Sequence, residues 1–450
     1  DVWLSAFWPS VLRIQPLPDD FVVDDSSKLP TLHHSLIVED EGAATTTTAR
    51  PHFLTQFYKP PMGSRPTPGG TPHACRVECN TRMTSEDWHQ DVRHIVLGLA
   101  PNDSQKEGDG TADHQTLEYA AGDIAVIYPK NVFDVDSFAR LMGFDPDTVF
   151  SLHPLGDEMH SEQHVALFPT PCTVRQAFCC YMDVLGTPRR HAVEMLSHFA
   201  TDAVEKDKLM EIGAAKDGVD LYHSYLKREK RGFVELFADF PSCRPPLEWL
   251  VRIVPLLRPR EFSISSSPRC HPREIHLAVA IVDFTSFYGQ RRTGVCTNWM
   301  AKLAADASGV EEGTDLGPDV VVPLFVKRGR IHPAPADMPE LLIGPGTGIA
   351  PIMSLLQDRF AARASSSGAV VADGGGDGGA VQDMVFFGCR HRSKDFLFRD
   401  DFLAMCESDD ILASGESAAS SSGEAAGENA ETSRVGCRAR LHVAFSRDQP

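Results

Sequence analysis

No run of apolar residues in this chain approaches the roughly 18 needed to span a bilayer, and no basic stretch followed by a short apolar one opens it. Neither a transmembrane helix nor an export signal is expected. Basic residues are scarce beside acidic ones, 43 against 62, for a net charge of −19. That balance argues against nucleic acid and membrane surfaces as partners, because both attract positive proteins. Cysteine lacks a paired framework: the 11 residues are odd in number and scattered singly, apart from Cys179 and Cys180. Such usage predicts reduced thiols and a cytoplasmic protein. His73, Cys75 and Cys79 have the look of half a metal site, but no second ligand pair follows at a zinc spacing, so no metal is expected. Internal repeats are missing too. What is present is 450 residues, 42% hydrophobic and 23% charged, enough for two or three domains with sizeable cores.

Along the chain the apolar period changes three times. Residues 1 to 12 carry Val2, Leu4, Phe7, Trp8, Val11 and Leu12 at helical spacing, stopped by Pro16 and Pro18. Strands are predicted at Leu32 to Val38, Val77 to Met83, 91 to 99 and 117 to 128, the last with Ala121, Gly122 and Asp123 as a turn. Thr173 to Phe240 then reads as helical, with a Thr173 and Gln176 capping box, Thr187 as N-cap before Pro188, and Ala192, Met195, Leu196 and Phe199 on one face; a last helix runs from Lys230 to Phe240, against Pro241. Strands return at Ile275 to Phe284 and Val320 to Val326, so the helical block is inserted in an antiparallel β unit. From Leu341 onward, alternation of strand, glycine turn, helix and strand predicts a parallel sheet. Residues 364–380 and 414–433, rich in Ala, Ser and Gly, read as flexible insertions.

Four short motifs carry chemistry. In Arg260, Glu261, Phe262, Ser263 and the serines to Ser267, an arginine suited to a diphosphate shares a strand face with an aromatic ring, beside a hydroxyl able to bond a ring nitrogen. That set suits a flavin; an edge strand with a serine-rich end is the plain alternative. Gly294, Val295, Cys296 and Thr297, ahead of a helix expected at Met300 to Ala305, suit a phosphate on backbone amides or an ordinary helix start capped by Thr297. Gly344 to Gly348, with Thr347, lets a pyrophosphate approach the backbone, though it is neither the spaced dinucleotide fingerprint nor a lysine-ended phosphate loop, and a tight turn would look alike. Ser446 and Arg447, after a strand at Arg440 to Ala444, could hold the 2′-phosphate of NADP or be a solvated strand end.

In this order and spacing the four motifs resemble the FAD and NADP half of the diflavin reductases. The likeness extends to Tyr119 to Asp123, to Phe386 to Arg390 with Asp395 and Phe396, and to Ala444 to Gln449. Within that family, Ile253 to Ser267, the Cys296 form of the glycine motif and the block Pro188 to Phe240 look most like the NADPH-dependent branch of cytosolic iron–sulfur protein assembly. The resemblance implies that Arg260, Glu261, Phe262, Ser263 and Gly294 to Thr297 hold FAD, with Ser263 the hydroxyl near the nitrogen that receives hydride. Phe262 stands where many relatives have tyrosine, and Lys230 with Arg231 where they have an arginine pair. Thr347 would contact the nicotinamide nucleotide, and Ser446 and Arg447 its 2′-phosphate.

The fold implied is a ferredoxin-reductase-like antiparallel β-barrel with an inserted helical connecting domain, then a truncated parallel α/β nucleotide-binding domain. Residues 28–132 and 244–335 would form the FAD barrel, 133–243 the connecting domain and 336–450 the NADP domain, with 13–27 a linker. Because the chain opens on Asp1 and stops at Pro450 just after a motif, it reads as a fragment, residues 1–12 being the last helix of an upstream FMN domain. The function implied is electron transfer from NADPH through FAD and FMN to an iron–sulfur partner protein. A diflavin reductase serving a haem monooxygenase or sulfite reductase, and a docking module without turnover, are the other readings.

Overall fold

A computed structural model describes residues 2–16, 29–32, 34–39, 73–100, 117–155, 168, 170–214, 218–304, 320–335, 337–367, 383–407 and 439–447. The insertion at 414–433 and most of that at 364–380 lie outside them, as does Gln449. The first helix, Val2–Ile14, contains Pro9 and stops before Pro16.

Six antiparallel strands build the central sheet, in the order Arg260–Ser263, Ile124–Ile127, Val322–Lys327, His73–Arg82, Val92–Leu99 and Glu274–Ala280. The two outer strands meet through an Ile264 to Leu277 bridge and a 2.8 Å bond from the Ser265 amide to the His276 carbonyl, so the sheet closes on itself. β-Branched and aliphatic residues supply the inward positions: Val77, Ile95, Leu97, Ile127, Ile264, Leu277 and Leu324 are buried in one cluster that Trp299 caps. Burial of each such side chain is worth about 1.5–3 kcal/mol, which holds the barrel rigid beneath the motif it carries.

Only Ile124–Ile127 of the expected 117 to 128 strand is extended in the sheet. The Asp123 carboxylate accepts the Ala120 amide at 2.9 Å and the Gly329 amide at 2.9 Å, tying the preceding residues into a turn. Gly122 has φ of 89°, and a Cβ there would lie 2.0 Å from the Ile331 carbonyl oxygen, so no other residue fits. The strand at Leu32 to Val38 also differs from expectation. It forms as His34–Val38 but pairs with Val149–Pro154, outside the barrel, because Leu36 packs on the core of the helical block.

That block is organised around Phe138, Phe150, Phe178, Phe233 and Phe237. Its Thr173 and Gln176 capping box forms as expected. Thr187 is not an N-cap, since the helix there runs Arg190–Ser197 behind Arg189. The expected Lys230 to Phe240 helix begins at Phe233: Lys230 sits at φ 52°, which breaks the helix, and the Glu235 carboxylate accepts the Gly232 amide at 2.9 Å to start a new one.

The last domain is a four-stranded parallel sheet, ordered Leu341–Pro345, Met384–Cys389, Ala439–Phe445, Cys406–Glu407. Helices Ile349–Ser367 and Arg399–Met405 cover one face, where Leu342, Val385, Phe387 and Leu441 meet Ile352, Met353 and Phe402. The helix Ile349–Ser367 docks on the barrel. Ser354 Oγ donates to the Ser266 carbonyl at 2.6 Å, the Ser267 amide donates to Gln357 Oε1 at 3.0 Å, and Ser267 Oγ donates to Asp358 at 2.9 Å. The expected architecture, barrel with helical insertion followed by parallel α/β domain, is the one observed. Among the described residues no helix is long and apolar enough to cross a membrane.

Candidate functional site: a cleft beside the barrel and the edge of the parallel sheet

Pairing of Arg260–Ser263 with Ile124–Ile127 sets the first part of the site. Alternation along this strand leaves Arg260 and Phe262 half-buried on one face and Glu261 and Ser263 exposed on the other. Phe262 packs against the margin of the barrel core. Burial pushes the Cys296 thiol up to about 12 and raises the Asp183 carboxyl, and the Arg260 charge opposes both shifts. The Arg260 charge therefore acts on both Asp183 and Cys296, the latter in the glycine motif. Glu261 faces away, ion-paired to Lys327 at 2.8 Å.

Gly294 itself caps the helix Val295–Lys302, which starts five residues earlier than the expected Met300. The reason is local. Thr297 Oγ1 accepts the Val282 amide at 3.1 Å, and Asn298 Nδ2 donates to the carbonyls of Val282 at 2.7 Å and Gly294 at 3.1 Å. Thr297 thus braces the first turn from inside the helix and is not its N-cap. A Cβ on Gly294 would stand 2.8 Å from both Thr297 Oγ1 and Val282 Cβ, so only glycine permits this approach. The first helical bond is the 3.0 Å one from Asn298 N–H to the Gly294 carbonyl, which leaves the amides of Val295, Cys296 and Thr297 ahead of it. Gly294, Val295 and Asn298 border an open cleft of about 260 Å³ walled by Val132 and Leu185, with Lys302 and Arg291, the latter ion-paired to Asp283 at 2.5 Å, as its cations. Amides, helix start and cations together suit a diphosphate.

Sequence reasoning missed those four wall residues. Arg291 and Lys302 flank the glycine motif and were findable as cations close to it in sequence, although Arg292 is nearer and pairs instead with Glu235; Val132 and Leu185 come from distant segments and carry no local signal. Lys230 is exposed at its left-handed turn. Its neighbours fasten that turn to the hairpin bearing Arg291: buried Glu229 accepts a bond from Ser286 Oγ at 2.6 Å, and Arg228 lies 3.6 Å from the Phe287 ring centroid. Arg231 is held by Asp239 and lies over Tyr225.

The second part of the site is the carboxyl edge of the parallel sheet. Gly346 adopts φ of 55° and a Cβ on Gly344 would stand 2.8 Å from the Gly348 carbonyl oxygen, so the chain turns tightly into the helix at Ile349 and leaves Thr347 exposed at its start. On the same edge the amides of Ser446 and Arg447 donate to the carbonyls of Cys389 and Arg390, both at 3.0 Å. Those bonds present Ser446 and Arg447, both exposed, beside the turn after Met384–Cys389. Asp395 accepts the amides of Arg390 and His391 and fixes that turn. In open parallel sheets this edge is where nucleotides bind.

The remaining motifs are structural. Tyr119 Oη bonds Ser266 Oγ at 3.0 Å and the His271 and Glu274 carbonyls at 3.1 and 3.0 Å. Cys75 faces the barrel core with its thiol pushed up to about 12 by burial, while Cys79 bonds Thr81 at 3.6 Å, so the two do not converge with His73 on a metal.

Comparison with known proteins agrees with this geometry. Residues 110–299 match the FAD binding domain family, and residues 342–443 match the oxidoreductase NAD-binding domain family. Proteins named NADPH-dependent diflavin oxidoreductase 1 are similar over most of the chain: 30% identity to that of Dictyostelium discoideum, covering 89% of this chain and 57% of the relative, and 32% to that of Arabidopsis thaliana, covering 100% and 64%. The NADPH–cytochrome P450 reductase of Sus scrofa is 27% identical over 100% of this chain and 56% of its own length. The chain thus spans about three-fifths of the relatives it matches.

Proposed function

We propose, for a chain that belongs to the diflavin reductase family and carries its FAD-binding and NAD-binding oxidoreductase domains, that the complete protein moves electrons from NADPH through FAD and FMN to an iron–sulfur partner of cytosolic cluster assembly. The observation that carries the redox reading is the Gly294 helix start opening on a cationic cleft, with the Arg260 charge acting on Cys296 of that start and the Thr347 and Arg447 edge docked to the same barrel. The residues fit the cofactor: the glycine that a Cβ would obstruct sets a helix start beside Arg291 and Lys302, which suits a flavin dinucleotide's diphosphate. When bound, FAD supplies the ability to take a hydride and release single electrons.

The chain's own part is to bind and orient. Val295, Cys296 and Thr297 would offer amides to the diphosphate, with Arg260, Arg291 and Lys302 as counter-charges and Lys230 on the neighbouring turn. Phe262 would give the flavin ring an apolar face, and Ser263, exposed one position on, a hydroxyl for the ring nitrogen that is protonated. Thr347 would bond the nicotinamide nucleotide, and Ser446 and Arg447 would select the 2′-phosphate. FMN would belong to a flavodoxin-like domain ending in the helix Val2–Ile14, and the domain limits given above and the cytoplasmic setting are part of this reading.

Support for the iron–sulfur acceptor is the order of likeness: proteins named NADPH-dependent diflavin oxidoreductase 1, at 27–32% identity, rank ahead of cytochrome P450 reductases at 27–28%. The test is turnover of the full-length protein, with its flavins extracted and identified, using an iron–sulfur acceptor and a haem acceptor in parallel. Faster reduction of the iron–sulfur protein is expected. Preference for the haem acceptor would reassign the partner, and absence of bound flavin would remove the enzyme reading altogether.

A further inference from the structure

Away from the cleft, on the outer face of the barrel, the sequence His271, Pro272, Arg273, Glu274, Ile275, His276 folds into a turn followed by a strand. Glu274 and His276 are two positions apart in that strand and so share a face. The turn brings His271 back over them. It is held in place by the His271 amide bond to the Ser267 carbonyl at 2.8 Å and by the Tyr119 hydroxyl on the His271 and Glu274 carbonyls. One ligand atom from each of the three side chains lies within 4.8 Å of the others. Glu274 Oε2 is 3.2 Å from His276 Nε2 and 3.6 Å from His271 Nδ1.

Those separations have a chemical meaning. Zinc binds imidazole nitrogen and carboxylate oxygen tetrahedrally at about 2.0–2.2 Å, which requires ligand atoms roughly 3.3–3.5 Å apart. The outer contact expected of a metal-bound histidine is also built. His94, from the adjacent strand Val92–Leu99, places Nε2 3.2 Å from His276 Nδ1, so a proton on that Nδ1 would leave His276 Nε2 as the lone-pair donor toward the cluster.

The geometry points to a divalent transition-metal site, zinc by preference, formed by His271 Nδ1, Glu274 and His276 Nε2 with a water completing the tetrahedron. Two nitrogens and one oxygen are too few and too soft for calcium or magnesium, which take six or more oxygens. Position gives the site a consequence. It clamps the Ser267 to His276 segment, and Ser267 bonds Gln357 and Asp358 of the nucleotide-domain helix, so bound metal would stiffen the joint between the two domains.

The experiment uses the full chain, stripped by a chelator and kept reduced with a non-coordinating phosphine, titrated with Co²⁺ and then with Zn²⁺ in competition. One Co²⁺ per chain with visible tetrahedral d–d bands and no thiolate charge-transfer band is expected, and Zn²⁺ should displace it. His271→Ala and Glu274→Gln, both outside the core, should each weaken binding about tenfold or more, whereas His73→Ala should leave it unchanged. Cobalt bound through thiolates, binding untouched in the His271→Ala, Glu274→Gln double variant, or no binding by folded chain overturns the proposal.

Discussion

At the scale of single residues, three side chains have separable duties. The charge of Arg260 acts on both Asp183 and Cys296. Replacing it by alanine should weaken FAD retention by about 1.5–3 kcal/mol, the range for a hydrogen bond to a charged group, measured as the flavin dissociation constant. Ser263→Ala should slow flavin reduction more than it weakens NADPH binding, because a bond to a reacting nitrogen acts mainly along the reaction path. Stopped-flow reduction at saturating NADPH separates the two effects, and weaker binding at an unchanged rate would give Ser263 a structural role. Arg447 sits exposed at the sheet edge, where only the 2′-phosphate distinguishes NADPH from NADH. Arg447→Ala should lower the ratio of specificity constants about tenfold or more, or roughly 1.4 kcal/mol; an unaltered ratio would assign the phosphate to other residues.

At the scale of elements, the join between helix Ile349–Ser367 and the parallel sheet rests on a buried carboxylate. Asp383, at the foot of Met384–Cys389, is fully buried and accepts bonds from Arg359 at 2.8 and 3.1 Å, from Arg363 at 2.8 and 3.2 Å, and from the Glu340 amide at 2.9 Å. Burial alone would raise its pKa, but those donors outweigh burial and hold it below the usual carboxylate value. With the folded pKa below the unfolded one, the unfolded chain takes up the proton first as pH falls. The stabilisation is therefore complete above the ordinary carboxylate range and is lost as pH drops through the folded value. Asp383→Asn should cost about 3–5 kcal/mol, because two buried arginines lose the carboxylate they share, Arg359 keeping its pair with Glu340 at 3.3 Å, and should flatten the acid limb of stability. Thermal melts of both proteins across acidic pH decide this; parallel curves would mean that another group governs the limb.

At the scale of the whole molecule, function needs the nucleotide edge held toward the barrel, and one contact doing this is wholly buried. Ser354 and Ser266 are both fully buried, and the 2.6 Å bond from Ser354 Oγ to the Ser266 carbonyl crosses the joint. Ser354→Val would leave that carbonyl without this donor at a cost of about 1–3 kcal/mol. Limited proteolysis should then cut between the domains faster than in the parent protein, while FAD retention stays the same. Unchanged cleavage would show that the other contacts along the helix suffice.

Much of this was written in short-range pattern. Apolar, strand-prone runs marked the barrel strands expected at 91–99 and 320–326 and found at Val92–Leu99 and Val322–Lys327, and the Thr173 box fixed its helix start, because those signals depend only on neighbours in sequence. The Arg260 and Gly294 motifs could be named from residue type alone. Where the chain overrode pattern, a distant group was responsible: Val282 shapes the helix start at Gly294, and Val149–Pro154 takes His34–Val38 away from the barrel. The same holds for function. Sequence determined which chemical groups the chain possesses, whereas only the fold decided that Arg260 lies near Cys296, that Val132 and Leu185 wall the cleft, and that His94 stands behind His276. Proximity between residues far apart in the chain depends on strand register and packing, which no local pattern encodes.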